Sequence, residues 1–287
     1  MSWIAAGIVV LGLLILFRLE TGAITPRQAE ARIRRQLYRV AGREPEWLQA
    51  SLGVESTKLG VSLIERMDSS APEAFWIAGV GKLFTSVMIG REIDAGRISF
   101  DTPVASLLSP NTLDGLFVVD GVDHQSEVTV EQLLSHTSGA ANYFDDPAAG
   151  SPTVSELISR EPDHVWTPME LLRFSAERQE AVARPGEKHH YSDTGFVILG
   201  LTLEQLAASP FAELVQREVF APLEMEESWF PFRTTPASGK TEMRKAYLYG
   251  VEVSEAASLT ADWAGGAAST EGDLLTFSRA LWGGELL

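Results

Sequence analysis

Residues 75–108, FWIAGVGKLFTSVMIGREIDAGRISFDTPVASLL, decide the fold of this 287-residue chain. The stretch predicts a helix over Val80–Ala95, which Gly96 would end, because apolar residues recur at helical spacing. We expect its buried face to carry Leu83, Phe84, Val87 and Met88. Lys82 begins this helix, and a lysine is costly to bury without a partner or a chemical task.

The flanking segments predict a mixed α and β domain. Lys58–Met67 is a strand candidate, and a polar stretch at Asp145–Asp163 is typical of a loop. Thr194–Ala207 is apolar nearly all round but too short to span a bilayer, so it predicts a helix buried in the domain. Two further helices are predicted at Thr129–Leu134 and Pro168–Arg178. We therefore expect one domain over residues 46–287.

Composition excludes several kinds of function. The chain has 23 Lys+Arg against 39 Asp+Glu, a net charge of −16, which argues against nucleic-acid binding. It has no cysteine, which excludes disulfides, cysteine-ligated zinc, iron–sulfur clusters and a thiol nucleophile. The histidines lack the spacing of a metal site, and Gly79–Lys82 lacks the residues of a phosphate-binding loop. We expect no cofactor and no metal.

The amino-terminal segment predicts a single-pass membrane anchor over residues 1–19. Trp3–Phe17 is an uncharged apolar run, and a helix over the 17 residues from Met1 to Phe17 reaches roughly 26 Å, close to the lower limit for a bilayer. A cleaved signal peptide and a buried core helix are the alternatives. A helical linker over residues 20–45 follows, with an amphipathic helix predicted over Thr25–Val40.

The side of the membrane on which the domain lies stays open. Six arginines follow the anchor, and the positive-inside rule therefore favours the cytoplasm. They are Arg18, Arg27, Arg32, Arg34, Arg35 and Arg39. The family resemblance described next favours the periplasm or the cell exterior.

Three short segments contain residues capable of catalysis: 77–82, 133–139 and 191–195. Each has an ordinary structural interpretation when it is taken alone. Lys82 can extend its amine to solvent, Tyr191 can be a core aromatic, and His136 can organise its loop by hydrogen bonds. The combination of all three in one chain is much more specific.

In combination, these segments resemble the serine β-lactamase-like family, which includes class C β-lactamases, D-Ala-D-Ala carboxypeptidases and esterases. The resemblance extends from about Lys58 to the last residue, through residues 75–108, LLSHTSG, YSDTGFVILG and GGAASTEGDLLTFSRAL. It implies an α+β fold of the β-lactamase/penicillin-binding-protein type, in which an antiparallel sheet is flanked by helices beside a helical region. It also implies a small-molecule or peptide substrate.

The resemblance implies roles for particular residues. Family members use a serine from Ser-x-x-Lys and a tyrosine from Tyr-x-Asn, so Lys82 and Tyr191 match the catalytic lysine and tyrosine. A serine three residues before a lysine lies on the same helical face, within reach of the amine. The chain has Gly79 at the nucleophile position and Asp193 in place of the asparagine.

Two further departures from the family pattern affect the expected activity. The 191–287 segment contains no convincing Lys/His-x-Gly strand, so we expect a family member that lacks its C-terminal strands, which would leave a sheet edge exposed. Ser86 and Ser138 are weak substitutes for the nucleophile, because Ser86 lies deeper along the helix and Ser138 lies in a turn.

Three interpretations follow. The first is a membrane-anchored serine hydrolase relative whose hydrolysis of amides or esters is impaired at Gly79. The second is a non-catalytic binding protein that uses the remaining cleft for a cell-wall peptide or a partner. The third is a fragment, or a Ser→Gly variant, of an active enzyme.

Overall fold

The structure is a computed structural model, and it describes residues 22, 24–42 and 50–287. These residues form two compact units. The first contains the described residues up to Glu73 and Thr270–Ser278, and the second contains Ala74–Ser269 and Arg279–Leu287. The anchor predicted over residues 1–19 lies outside the described residues, as does part of the linker predicted over residues 20–45.

The first unit begins with the amphipathic helix that the sequence predicts. Helix α1 spans Pro26–Ala41. Its start is determined locally, because the Thr25 hydroxyl accepts from the Gln28 backbone and Gln28 returns a bond to the Thr25 backbone. Pro26 occupies the first helical turn, where its missing N–H costs nothing. The prediction of a helix over residues 25–40 is therefore confirmed.

A β-hairpin completes the first unit together with the start of a later helix. Strand β1 spans Ser51–Ser56 and strand β2 spans Val61–Arg66, paired antiparallel with Ser56 opposite Val61. The strand predicted at 58–67 is shorter than expected because Gly60, at a φ of +64°, belongs to the turn. Ile24 and Ala29 pack on Val61, which fastens α1 to the hairpin.

The second unit is mainly helical. In chain order the longer elements are α2 (Lys82–Asp94), α3 (Val130–Leu134), α4 (Val154–Arg160), α5 (Pro168–Arg178), α6 (Asp193–Ala207) and α7 (Phe211–Val215). Helix α8 (Glu271–Gly283) has residues in both units. Helix α6 is buried along most of its length and contacts α2, α3, α5 and α7, which confirms the buried helix predicted at 194–207.

Short antiparallel pairs supply the strands of the second unit. They are β3 (Phe75–Trp76) with β8 (Ala268–Ser269), β4 (Val118–Val119) with β5 (Val122–Asp123), and β6 (Tyr247–Leu248) with β7 (Val251–Glu252). The β3–β8 pair is the important one for the site, because it brings the 262–269 segment beside the turn that leads into α2. The Ile77 N–H donates to the Ala267 carbonyl at 2.9 Å as this pairing ends.

Three local predictions were wrong. The stretch 145–163 is not all loop, because Thr153 and Glu156 form a capping box that starts α4. Leu83 does not belong to the buried face of α2 and is 45 % exposed, whereas the other three predicted residues are buried. Helix α2 begins at Lys82 rather than Val80, because residues 78–81 form a tighter 3₁₀ turn.

No helix within residues 22, 24–42 and 50–287 is by itself long and apolar enough to cross a membrane. Helix α6 and the following Phe211–Phe220 segment reach that length only in combination, and the pair is bent by 75°.

Candidate active site

The turn Ala78–Gly81 presents the first candidate residues. Ala78 has a φ of +46°, a strained conformation for a residue with a side chain, and it immediately precedes Gly79. At Gly81 an added Cβ would lie 1.9 Å from the Gly265 carbonyl oxygen, so only glycine fits there. Thr85 donates to the Ala264 carbonyl at 2.9 Å. Helix α2 therefore starts in direct contact with the 264–265 backbone.

A second wall is formed where the 136–143 loop meets the start of α6. The Ser192 N–H donates to His136 Nδ1 at 3.1 Å, and the Ser192 and Thr194 hydroxyls donate to the Ala141 carbonyl. The Asp193 N–H donates to Asn142 Oδ1 at 3.1 Å. His136 thus acts as a hydrogen-bond acceptor that organises its loop, as the sequence predicts. These bonds determine the positions of Tyr191 and Asp193.

The four residues singled out from the sequence come together between these walls. Lys82, 8 % exposed, forms an ion pair with Asp193 Oδ1 and a hydrogen bond with Tyr191. The Tyr191 hydroxyl lies 3.4 Å from Asp193 Oδ1, and Lys82 Nζ lies 5.4 Å from the Tyr191 ring centroid. Tyr191 is 46 % exposed. The buried Lys82–Asp193 pair therefore has a solvent-exposed neighbour.

Gly79 completes this cluster. Among the described residues beyond its chain neighbours, the atoms within 4 Å of a Cβ placed on Gly79 are the Tyr191 hydroxyl at 3.2 Å and Lys82 Nζ at 3.6 Å. The side-chain direction of Gly79 therefore points at the two groups that the resemblance assigns to proton transfer. A Cβ at this position requires the Tyr191 hydroxyl to move by no more than a few tenths of an ångström.

The sequence reasoning missed a second carboxylate, that of Asp262. A Cβ on Gly265 would lie 2.8 Å from Asp262 Oδ1 and 3.2 Å from Lys82 Nζ, so these two atoms flank the same point. The Trp76 side chain hydrogen-bonds the Asp262 carboxylate. Arg233, whose guanidinium donates to the Thr260 and Trp263 carbonyls at 2.9 and 2.5 Å, interacts with Asp262 electrostatically.

The electrostatics of the site follow from burial and these charges. Burial would lower the pKa of Lys82, but Asp262 and Asp193 outweigh it and raise that pKa well above its ordinary value. Burial and the two carboxylates raise the pKa of Tyr191 despite the nearby Lys82. Burial and Lys82 lower the pKa of His136. At neutral pH the cleft therefore holds a charged lysine, a neutral tyrosine and a neutral histidine.

Burial also dominates the remaining charged groups. It raises the pKa of Asp262 to about 6 even though Lys82 and Arg233 act in the opposite direction. Burial lowers the pKa of Arg233 to about 10, against the carboxylate of Asp262. The two acids and the two bases of this cluster are thus coupled, and removing any one reduces the compensation of the buried charges that remain.

This arrangement can bind and polarise a ligand, but Gly79 provides no side chain for acylation. The weak substitutes are engaged elsewhere: the Ser86 hydroxyl donates to the Lys82 carbonyl at 2.9 Å, and Ser138 is buried and accepts from the Ala140 N–H at 3.4 Å. In the part of the chain that the structure describes, no group of three His, Asp or Glu side chains is arranged to hold a metal ion.

A signal for Asp262 was present in the sequence. It is a single acid in the small and apolar stretch LTADWAGGAAS (259–269), and a charge in such a stretch needs a partner when it is buried. The same argument identified Lys82. Asn142 and Arg233 carried no comparable signal, because polar residues in loops are ordinarily exposed.

Comparisons with known proteins identify the family of this chain. The family model described as Beta-lactamase matches residues 46–287. Among curated proteins, the chain is 27 % identical over 155 residues to penicillin-binding protein 4 of Amycolatopsis lactamdurans, covering 54 % of this chain and 35 % of that protein. It is 23 % identical over 203 residues to a D-alanyl-D-alanine-carboxypeptidase/endopeptidase of Escherichia coli (strain K12), covering 71 % and 47 %. The chain thus spans less than half the length of both relatives.

Solved structures give the same result. A D-stereospecific amidohydrolase from Streptomyces sp. matches with a TM-score of 0.60 at 27 % identity, over 75 % of this chain and 62 % of that one. A penicillin binding protein from Bacillus halodurans matches with a TM-score of 0.61 at 24 % identity, over 88 % and 74 %. The second likeness concerns the fold alone, and it agrees with the β-lactamase/penicillin-binding-protein type of fold that the sequence predicts.

Proposed function

The chain belongs to the β-lactamase family, and we propose that it is a serine-hydrolase relative in which acyl transfer is impaired at Gly79 while the ligand cleft is retained. Relatives named as a D-alanyl-D-alanine-carboxypeptidase and a D-stereospecific amidohydrolase indicate the ligand class, a D-amino acid amide or peptide. Loss of a nucleophile typically costs several orders of magnitude in rate.

One observation carries this proposal. The Cβ direction of Gly79 meets Tyr191 and Lys82 and no other described group beyond its chain neighbours, so the partners of a nucleophile are present around a residue without a hydroxyl. The buried ion pair between Lys82 and Asp193 supports the same proposal, because a buried charge cluster is costly to maintain. Binding without acylation is then the activity expected of the cleft.

The test is the intact mass of the protein after incubation with a fluorescent penicillin and with a fluorophosphonate ester. We expect no adduct on the native chain and an adduct on Gly79→Ser. Gly79→Ala is the matched control, because it adds the Cβ without the hydroxyl and should stay unlabelled. Adding Lys82→Met to Gly79→Ser should reduce labelling at least about 100-fold.

Two outcomes would refute parts of the proposal. An adduct on the native chain, mapped to Ser86, Ser138 or another residue, would mean that Gly79 does not disable the protein. Failure of both the native chain and Gly79→Ser to label, together with no heat of binding for a D-alanyl-D-alanine peptide, would mean that the cleft is not retained.

We also propose single-pass membrane attachment through residues 1–19, supported by the uncharged apolar run Trp3–Phe17. The full-length chain should remain in the membrane fraction after alkaline carbonate washing, whereas a chain beginning at residue 20 should be released. Release of both forms would contradict the anchor. If the full-length chain stays in the membrane fraction, protease accessibility in sealed vesicles would show on which side of the membrane the domain lies.

A further inference from the structure

Lys82 occupies an electrostatically unfavourable position. It is the first residue of α2, where the helix dipole presents its positive end, and the side chain is 8 % exposed. A cation buried at a helix N-terminus is destabilised both by the dipole and by lost hydration. Asp193 supplies one compensating anion. It stands at the N-terminal end of α6, where an anion is itself favoured.

Asp262 supplies a second anion from a different part of the chain. Its Oδ1 and Lys82 Nζ lie 2.8 and 3.2 Å from the same point, the position that a Cβ on Gly265 would take. Glycine at 265 therefore leaves the space between carboxylate and ammonium free of a methyl group. Any larger residue would contact both charged groups there.

The Asp262 carboxylate is itself held in place. Trp76 hydrogen-bonds it, and the Gly266 N–H donates to the Asp262 carbonyl at 2.7 Å in a tight turn. A Cβ on Gly266 would lie 2.4 Å from the Trp76 ring, so glycine at 266 is what allows the indole to lie against this turn. The two consecutive glycines thus leave room for the Asp262 carboxylate and the Trp76 ring.

We propose that Asp262 is a positioning residue for Lys82: together with Asp193, it holds the lysine ammonium protonated and directed at the Tyr191 hydroxyl and the Gly79 Cβ position. This assignment deepens the proposed function, on which its relevance to ligand binding rests. The glycine pair Gly265–Gly266 serves the same role, since it admits the carboxylate and its tryptophan to the site.

Other charged or titratable groups also interact with Lys82 and Asp262. Asp193 and Tyr191 approach Lys82 from the start of α6, and His136 approaches from the loop after α3. Arg233 and the buried Tyr143 interact electrostatically with Asp262. Loss of the Asp262 charge removes one of two anions from Lys82 and leaves the other in place.

The test measures the protonation of Lys82 in the native chain, independently of any acylation. Lysines are labelled with trace acetic anhydride over a range of pH, and peptides are quantified by mass spectrometry, with the exposed Lys188 as the internal reference. We expect Lys82 to react at least tenfold more slowly than Lys188 at pH 9. In Asp262→Asn, the relative rate of Lys82 should rise at least fivefold and the pH midpoint of its labelling curve should fall.

Controls separate positioning from a merely structural role. A loosened fold would raise the rate at every pH, whereas lost charge shifts the midpoint of the curve. Asp262→Glu should restore a midpoint close to that of the native chain. If Asp262→Asn does not fold, Trp76→Phe, which keeps the carboxylate but removes its hydrogen bond, should give a smaller shift in the same direction.

An unchanged midpoint in folded Asp262→Asn, or in Trp76→Phe where the first variant fails to fold, would overturn the proposal. That result would leave the adduct test at Gly79 unaffected, because it uses a different variant and a different readout. Conversely, a failed adduct test would not alter the labelling curve of Lys82.

Discussion

Gly79 and Gly81 lie two residues apart in the same turn, yet their surroundings are opposite. A Cβ on Gly81 would lie 1.9 Å from the Gly265 carbonyl oxygen and 2.7 Å from its carbon, which are rigid backbone atoms. A Cβ on Gly79 would meet the tip of Tyr191 at 3.2 Å and Lys82 Nζ at 3.6 Å, both at the ends of side chains. Packing therefore requires glycine at 81 and does not require it at 79.

This comparison separates two reasons for a glycine. At Gly81, the absent Cβ lets α2 touch the 264–265 segment and brings Lys82 close to Asp262. At Gly79, a side chain would lie among the ends of the Tyr191 and Lys82 side chains. Position 79, where the family resemblance implies a serine, is therefore one at which an added Cβ meets side-chain ends and not rigid backbone.

Gly81→Ala is expected to have the largest effect. The added methyl group would overlap backbone atoms, so α2 or the 262–266 segment must shift. We expect the free energy of unfolding to fall by at least about 2 kcal/mol. Urea unfolding followed by circular dichroism measures it, and a loss below about 0.5 kcal/mol would remove the packing explanation of Gly81.

Gly200→Ala should have a smaller effect. Its Cβ would lie 2.4 Å from Cζ3 of the buried Trp263, and a side chain can give way more readily than backbone. The expected loss in unfolding free energy is about 1–2 kcal/mol. The tryptophan fluorescence of Trp263 should shift as its ring moves. Equal losses for this variant and Gly81→Ala would contradict the distinction between backbone and side-chain neighbours.

Asp262→Asn tests the electrostatics of the 262–266 segment, whose backbone lies against Gly81. The pKa of Asp262 is raised to about 6, so the folded chain holds this proton more tightly than the unfolded chain. The Asp262 contribution to unfolding free energy therefore declines as pH rises from about 4 through 6. The lowered pKa of His136 makes its contribution to the free energy of unfolding rise with pH, in the native chain and the variant alike.

The expected result is a stability difference, variant minus native, that becomes more positive between pH 4.5 and 7.5. Thermal melts of both proteins across this range measure the difference, in which the His136 contribution cancels. A difference that is flat, or that declines with pH, would contradict the raised pKa. Asp114→Asn, which removes an exposed acid from another part of the chain, is the control.

Gly79→Ala should have the smallest effect. The backbone at Gly79 is outside the left-handed region, and the methyl group would meet only side-chain ends, at 3.2 Å or more. We expect a change of less than about 1 kcal/mol in unfolding free energy. A loss as large as that of Gly81→Ala would mean that packing requires glycine at 79 as well, which would contradict the distinction between the two positions.

Local signals in the sequence predicted many of the elements. Thr25 and Thr129 begin α1 and α3 through capping boxes, and Pro168–Arg178 is a helix as predicted. Such boundaries depend on residues three or four apart, which can be identified directly in the chain. Strand β1 was missed because Leu52 and Val54 are its only apolar residues, which is a weak strand pattern.

The sequence by itself determined the family, several of the helices and the identity of Gly79, Lys82, Tyr191 and Asp193 as site residues to examine, since these depend on local pattern and motif. Only the tertiary structure decided that Asp262, Trp76 and Arg233 join them. Asp262 and Arg233 lie far along the chain from Lys82 and Trp76, and Asp262 reaches them because β8 pairs with β3 and because two glycines permit close approach. Contacts of this kind depend on the path of the whole backbone, which no short stretch of sequence specifies.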